Sequence, residues 1–222
     1  MYAMAKICGI NTESALDAAL DGKANFIGLV FFPKSPRHVD LVTARKLADR
    51  SRHKADIVAL LVDPDNAQLR EVMNAFAPDY VQLHGLESVE RVAEIRALVD
   101  RPVIKAIGVA QGSDARKGLL YRDVADTILF DAKPPQGSAR PGGHGAAFDW
   151  SLLDGTIKDA AWPQDMQWML SGGLNPDNVG EAISKTGAPV VDVSSGVESS
   201  PGVKDAELIR RFLQAVKTAK QT

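Results

Sequence analysis

The sequence has 222 residues, 45% of them hydrophobic and 24% charged, which is the composition of a globular protein with one sizeable core. Its 26 Lys and Arg against 28 Asp and Glu give a net charge of −2, which argues against a nucleic-acid-binding protein or a polybasic membrane binder. The single cysteine, Cys8, excludes an internal disulfide, and no apolar run approaches the roughly 20 residues of a membrane span. Because the first charge comes at Lys6, too early for a signal peptide, we expect a cytoplasmic protein.

Short runs rich in Val, Ile and Leu alternate with amphipathic stretches along the chain. Runs that are apolar on both sides are typical of parallel strands buried on two faces. The predicted strands are 5–8, 26–31, 57–62, 80–83, 103–107, 127–130, 166–170 and 190–193. The predicted helices are 14–20, 43–51, 67–76, 89–99, 178–185 and 206–217, with weaker helical signals at 113–123 and 150–153.

Polar segments suited to helix starts agree with these positions. Asn11-Thr12, Asp63-Pro64-Asp65 and Asn175-Pro176-Asp177 precede the first, third and seventh predicted helices. Eight strands alternating with helices over residues 1–222 predict a single-domain α/β protein, a (β/α)₈ or TIM barrel. An open doubly wound sheet is the alternative, but its G-x-G-x-x-G fingerprint should follow the first strand, where the chain reads Cys8-Gly9-Ile10-Asn11.

Glycine-bearing loops follow predicted strands seven and eight instead. One loop holds Gly172 and Gly173, and the other holds Ser194, Ser195 and Gly196. A phosphate needs several backbone N–H groups at close range, which glycine permits, and barrels frequently place that site after these two strands. Either loop alone also fits a plain tight turn. Together they predict a phosphorylated small molecule as the ligand.

Cys8 and Asp131 end predicted strands one and six, and so lie at the mouth where barrel active sites form. A thiol and a carboxyl of different pKa can serve as base and acid in an isomerisation. The simpler interpretations are a small buried hydrophobe for Cys8 and a charge-neutralising carboxyl for Asp131. Lys105, inside strand five, could line the barrel.

Three further polar residues near this mouth are candidate ligand contacts. Pro33 and Pro36 stiffen the loop carrying Arg37, whose guanidinium suits a carboxylate, although a solvated surface arginine fits equally well. His84 could touch ligand or only hydrogen-bond within the barrel mouth, and Asp192 could bind ligand hydroxyls or anchor its loop. The histidines show no zinc-ligand spacing, so no metal is expected.

The irregular segment 132–148 follows the sixth strand and is rich in proline and glycine. An excursion of this length inside a compact domain is more often an active-site lid than idle chain. A floppy surface loop is the alternative interpretation.

A series of motifs, in this order, resembles the phosphoribosylanthranilate isomerase family over almost the full chain. Each motif is common alone, and the combination is specific. The motifs are Lys6-Ile7-Cys8-Gly9, Gly28-Leu29-Val30-Phe31, Ser35-Pro36-Arg37, Val81-Gln82-Leu83-His84-Gly85, Leu129-Phe130-Asp131, Gly142-Gly143, Phe148-Asp149-Trp150, Leu170-Ser171-Gly172-Gly173-Leu174 and Val191-Asp192-Val193-Ser194-Ser195-Gly196-Val197-Glu198. The family's Gly-Gly-Thr-Gly has His144 in place of its threonine here, which puts a contact through that hydroxyl in question.

The resemblance implies an Amadori rearrangement of N-(5-phosphoribosyl)anthranilate to a 1-deoxyribulose 5-phosphate product in tryptophan biosynthesis. By analogy Asp131 is the general acid that opens the ribose ring, and Cys8, as thiolate, takes the proton from C2. Arg37 would hold the anthranilate carboxylate, and the two glycine-bearing loops the phosphate. The reaction is redox-neutral, so no cofactor is expected, and both a monomer and a homodimer are plausible.

Three other functions fit parts of the pattern. The histidine-pathway isomerase resembles a two-fold repeat with two catalytic aspartates, whereas this chain has Cys8 at the first position. Indole-glycerol-phosphate synthase needs catalytic lysines at strand ends, for which Lys105 alone is insufficient. A catalytically silent barrel would bind phosphate yet tolerate replacement of Cys8 and Asp131.

Overall fold

A computed structural model describes residues 3–133, 137, 142, 148–159, 162, 163 and 166–219. Its central feature is a closed barrel in which eight parallel strands follow one another in chain order. The strands are β1 (Met4–Cys8), β2 (Phe26–Phe31), β3 (Asp56–Leu61), β4 (Tyr80–Leu83), β5 (Val103–Val109), β6 (Thr127–Ala132), β7 (Gln167–Leu170) and β8 (Val190–Val193). The barrel closes because β8 pairs with β1, where Lys6 lies opposite Asp192. The predicted (β/α)₈ barrel is confirmed, and the open sheet is excluded.

Helices follow the strands, and the ends of the six clearly predicted helices differ from the prediction by at most two residues. They are α1 (Glu13–Asp21), α2 (Leu41–Ser51), α3 (Asn66–Phe76), α4 (Val89–Val99), α5 (Gly112–Ala115), α6 (Asp154–Ile157), α7 (Val179–Thr186) and α8 (Ala206–Thr218). Thr12 and Asp65 cap α1 and α3 as predicted, because their side-chain oxygens accept the N–H groups of Ala15 and Gln68. None of the helices in this described part is long and apolar enough to cross a membrane.

The two weak helical signals become short, tightened segments instead of full helices. α5 runs directly into a 3₁₀ helix, Arg116–Tyr121, and the segment Trp150–Leu153 is a 3₁₀ helix that leads into α6. Gly118 lies in the first of these and packs against Ile128 and Phe130 of β6, where a Cβ would sit 3.2 Å from the Ile128 side chain. This close approach favours a tight turn over a continuous amphipathic helix.

The barrel interior has an apolar base and a polar upper layer. Side chains at the base come from alternate strand positions: Phe26, Val58, Ile104, Ala106, Leu129, Met169 and Val190. Because Ile104 and Ala106 point inward, Lys105 between them points outward, where its Nζ pairs with Glu87 at 2.8 Å. The expectation that Lys105 lines the barrel is therefore wrong. Above the base, inward positions hold polar residues such as Lys6 and Asp192 together with the apolar Val30 and Leu60, which line a cavity.

A small antiparallel hairpin covers part of this upper layer. It consists of β9 (Glu198–Ser200) and β10 (Val203–Lys204), and it follows a 3₁₀ turn, Ser195–Val197, after β8. Lys204 is buried beneath the hairpin, where its Nζ donates to the Ser194 carbonyl at 2.8 Å. The hairpin thus brings a cation next to the loop after β8.

Candidate active site

A cavity of about 830 Å³, counting its open mouth, lies at the carboxyl ends of the strands. Its wall is built by residues from several strand ends that the sequence analysis singled out. These are Cys8, Arg37, His84, Asp131, Gly172, Gly173, Asp192, Ser194 and Ser195. Residues far apart in the chain meet here because all parallel strands end on the same face of the barrel.

Cys8 ends β1 and is buried beside Val30 and Leu60. Burial raises the pKa of the thiol above its ordinary value, because an apolar environment disfavours the thiolate. The positive charges of Lys6 and Lys204 act in the opposite direction and lower that pKa, but burial outweighs them. Cys8 is therefore a buried thiol whose pKa stays raised by burial, while neighbouring charges modify that shift.

Lys6 is fully buried inside the barrel and was not among the predicted site residues. Its Nζ lies 2.9 Å from Asp192 Oδ1, and Ser171 Oγ donates to Asp192 Oδ2 at 3.2 Å. Burial lowers the pKa of Lys6, but the Asp192 carboxylate and Cys8 outweigh that effect and raise it above its ordinary value. Lys6 stands two positions before Cys8, so strand alternation alone indicates that both side chains share one face.

Asp131 and His84 face each other on another part of the wall. His84 Nε2 lies 3.2 Å from Asp131 Oδ2, while Asp131 Oδ1 accepts the N–H of Ala132 at 2.8 Å. Gln82 Nε2 lies 3.0 Å from His84 Nδ1. Since an amide N–H donates, the proton of the ring then sits on Nε2 and is donated to Asp131. His84 lines the cavity and hydrogen-bonds within the mouth, and its contact with ligand stays a prediction.

Arg37 is buried at the rim of the cavity and is not a solvated surface arginine. Its Nε and Nη2 donate to the two oxygens of Glu198 at 2.7 and 2.8 Å. Lys204 Nζ adds a contact to Glu198 at 2.8 Å. Burial raises the pKa of the Glu198 carboxyl, but the bonds from Arg37 and Lys204 outweigh it and lower that pKa to about 2. Sequence reasoning missed this role of Glu198, although the residue closes the last motif.

The two predicted phosphate loops are held in place by close backbone contacts. Gly172 has φ of +85°, and a Cβ there would lie 2.6 Å from the Ala132 nitrogen. A Cβ at Gly196 would overlap the carbonyl oxygen of Leu174, so this glycine lets the two loops touch. Gly196 itself is not among the residues that line the cavity. Its position indicates that it supports the loops from behind.

Most of the segment 132–148, including Gly143 and His144, lies outside the described residues. The prediction that this segment is an active-site lid falls on those residues as well. Gly142 is described and lies against Asp131 and His84, where a Cβ would come within 2.8 Å of both side chains. Within the described ranges no cluster of three or more His, Cys, Asp or Glu side chains could hold a metal ion.

A closed (β/α)₈ barrel with a thiol, a carboxyl and two glycine loops at its mouth defines a barrel enzyme. Residues 5–215 match the family model described as N-(5'-phosphoribosyl)anthranilate (PRA) isomerase. The chain is 51% identical over 221 residues, 100% of its own length and 99% of the relative's, to N-(5'-phosphoribosyl)anthranilate isomerase of Rhodopseudomonas palustris (strain BisB18). The chain belongs to the N-(5'-phosphoribosyl)anthranilate isomerase family, as the sequence motifs predict.

Two solved structures extend the comparison to the fold. One is a monomeric form generated from the dimeric phosphoribosylanthranilate isomerase of Thermotoga maritima, with a TM-score of 0.82, 32% identity, and coverage of 97% of this chain and 98% of that one. The other is a phosphoribosyl anthranilate isomerase in complex with reduced 1-(o-carboxyphenylamino)-1-deoxyribulose 5-phosphate, with the same score, identity and coverage. A phosphorylated product analogue is thus bound by a similar barrel.

Proposed function

We propose that the cavity at the barrel mouth converts N-(5-phosphoribosyl)anthranilate to 1-(2-carboxyphenylamino)-1-deoxyribulose 5-phosphate, the isomerisation step of tryptophan biosynthesis. The observation that carries this proposal is the placement of Cys8 and Asp131 on different parts of one wall. Between them, the loops after β7 and β8 supply glycine-bearing backbone. Family membership supplies the substrate, and the wall supplies one group for each proton transfer.

The chemistry requires a proton to be given and another to be taken. Asp131, in its protonated form, gives its proton to the furanose ring oxygen, and the C1–O bond breaks to leave a protonated Schiff base. The Cys8 thiolate then takes the proton from C2, and the electron pair of that C–H bond forms the enolamine. The enolamine tautomerises to the ketone. Carbon C2 is oxidised as C1 is reduced, so the reaction is redox-neutral and needs no cofactor.

Binding uses the rest of the wall. The phosphate would lie against the backbone of Gly172, Gly173 and Ser195, with Ser194 beside it and Gly196 supporting the loop from behind. Arg37 would share its guanidinium between Glu198 and the anthranilate carboxylate. Asp192, held by Lys6 and Ser171, would bind the ribose hydroxyls. His84 would contact substrate beside Asp131. We further propose a cytoplasmic protein that is a monomer or a homodimer.

Two substitutions test this assignment in a fluorescence assay that follows the decay of phosphoribosylanthranilate. We expect Asp131→Asn and Cys8→Ala each to lower kcat by about 10²-fold or more, the usual effect of losing a general acid or base. Lys105→Met replaces a buried lysine of β5 whose side chain points away from the barrel interior, and it is a control for structural damage at a buried charge. If both site variants convert the substrate at the wild-type rate, Cys8 and Asp131 are not the base and the acid, and the mechanism is wrong.

A further inference from the structure

We propose that the buried ammonium of Lys6 keeps Cys8 available as a thiolate, and that Gly28 leaves the space in which the two side chains meet. Lys6 is thus a positioning residue for the base. The inference rests on the proposed function, because it explains how Cys8 acts in that reaction.

Strand geometry brings the two groups together. Lys6 and Cys8 occupy alternate positions of β1 and so point to the same interior face, and Gly28 of β2 is the direct partner of Cys8 across the sheet. A Cβ built at Gly28 would lie 3.0 Å from Cys8 Sγ and 3.2 Å from Lys6 Nζ. The sulfur and the ammonium therefore flank one small space that any larger residue would fill.

The charges around the sulfur come from three elements. Lys6 on β1 and Lys204 on β10 lower the pKa of Cys8, and Asp192 on β8 raises it. Lys204 is occupied by Glu198 and the Ser194 carbonyl, and burial lowers its own pKa. Lys6 Nζ and Cys8 Sγ border the same small space at Gly28, and the partner Asp192 raises the pKa of Lys6. Lys6 is thus the cation that is both adjacent to the thiol and held in its charged form.

Asp192 has opposite effects on the two groups. Its contact at 2.9 Å stabilises the charge of Lys6, yet its own negative charge disfavours the thiolate. If the ion pair were purely structural, replacing either partner would change the reactivity of Cys8 in the same direction. An electrostatic role for Lys6 predicts that the two replacements shift the pKa of the Cys8 thiol in opposite directions.

Alkylation of the substrate-free protein by iodoacetamide, followed by mass spectrometry from pH 6 to 10, reads Cys8 alone because it is the only cysteine. Below the thiol pKa the rate follows the thiolate fraction, and one pKa unit changes that fraction about tenfold. We expect Lys6→Met to slow alkylation at neutral pH about tenfold or more and Asp192→Asn to speed it. Lys105→Met, which removes another buried lysine, should leave the rate unchanged.

A second comparison covers the case in which Lys6→Met does not fold because Asp192 is left unpaired. The double variant Lys6→Met/Asp192→Asn leaves neither partner of this ion pair charged. We expect it to be alkylated more slowly than Asp192→Asn alone. Equal rates in these two proteins, or a loss in Lys105→Met as large as in Lys6→Met, would overturn the proposal.

Turnover measurements distinguish a failure of the role of Lys6 from a failure of the proposed function. With Lys6→Met we expect kcat to fall at neutral pH with little change in KM, and to recover as the pH rises. If Cys8→Ala keeps full turnover, the assignment of the base fails while the alkylation result stands. If Cys8→Ala is inactive but Lys6→Met alkylates like wild type, only the role of Lys6 fails.

Discussion

The cavity has two walls that hold their reactive groups in different ways. The thiol wall, Cys8 and Asp192 with their buried neighbours Lys6 and Lys204, surrounds its sulfur with three charged side chains. The carboxyl wall, His84 and Asp131 with the buried neighbour Gln82, is a chain of hydrogen bonds with contacts of 3.0 and 3.2 Å. The difference matches the chemistry. A buried thiol must be helped to lose its proton, whereas a carboxyl that acts as an acid must be oriented toward the oxygen that receives its proton.

The largest effect outside the two reacting groups is expected on the carboxyl wall. His84→Ala removes the side chain that contacts Asp131 Oδ2, and we expect kcat to fall about 10-fold to 100-fold, below the full contribution of a general acid. Steady-state kinetics would show the loss mainly in kcat, with a smaller change in KM. His84→Asn, which can still present an N–H, should lose less.

Gln82→Leu is the matched variant for this wall, because it leaves His84 and Asp131 in place and removes only the contact to Nδ1. We expect a kcat between those of wild type and His84→Ala. A Gln82→Leu enzyme with unchanged kcat would show that the wall does not work as a connected chain, and the contrast with the thiol wall would be lost.

A smaller effect is expected at the rim, where Arg37 meets Glu198. Arg37→Ala should raise KM about 10-fold, because a charge-assisted hydrogen bond contributes about 1.5 kcal/mol or more. Arg37→Lys keeps the charge but cannot make the two parallel contacts to Glu198, so we expect it to raise KM nearly as much. An unchanged KM in Arg37→Ala would remove Arg37 from the substrate site.

The carboxyl wall was largely predictable from sequence, and the thiol wall only in part. Asp131 and His84 end apolar runs, and strand ends of a parallel barrel converge on one face whatever the sequence between them. Strand alternation places Lys6 on the face of Cys8, but a lysine within an apolar run gives no sign of the partner that permits its burial. That partner, Asp192, is 186 positions away and becomes adjacent only when β8 closes onto β1.

The same limit applies to the pairing of Arg37 with Glu198 and Lys204. Two prolines indicated a stiff loop around Arg37, but the fixed guanidinium depends on a hairpin whose strands are only three and two residues long. Such short strands carry too little hydrophobic pattern to be predicted from sequence. The charged partners that only the tertiary structure brings together were therefore the main feature that the sequence did not predict. The strand positions were predicted.

The last prediction concerns stability instead of turnover, and it tests whether the charges around the thiol wall also support the fold. The pKa of Glu198 is lowered to about 2 from an ordinary value of 4.5. A lowered pKa means that the unfolded chain binds the proton first as the pH falls, so the stabilisation is complete above pH 4.5 and is lost as the pH approaches 2. At pH 6 we expect Glu198→Gln to unfold with a free energy about 2 kcal/mol lower than wild type, because charge-assisted bonds are weakened.

Urea unfolding at several pH values would measure that difference. It should shrink steadily below pH 4.5 as wild-type Glu198 takes up its proton and comes to resemble glutamine. The exposed pair of Arg50 and Asp17 provides the control, since Asp17→Asn removes a bidentate ion pair at the surface and should change stability much less at pH 6. A difference for Glu198→Gln that stays constant down to pH 2 would mean that packing, and not the ionised carboxylate, holds the hairpin and Arg37 together.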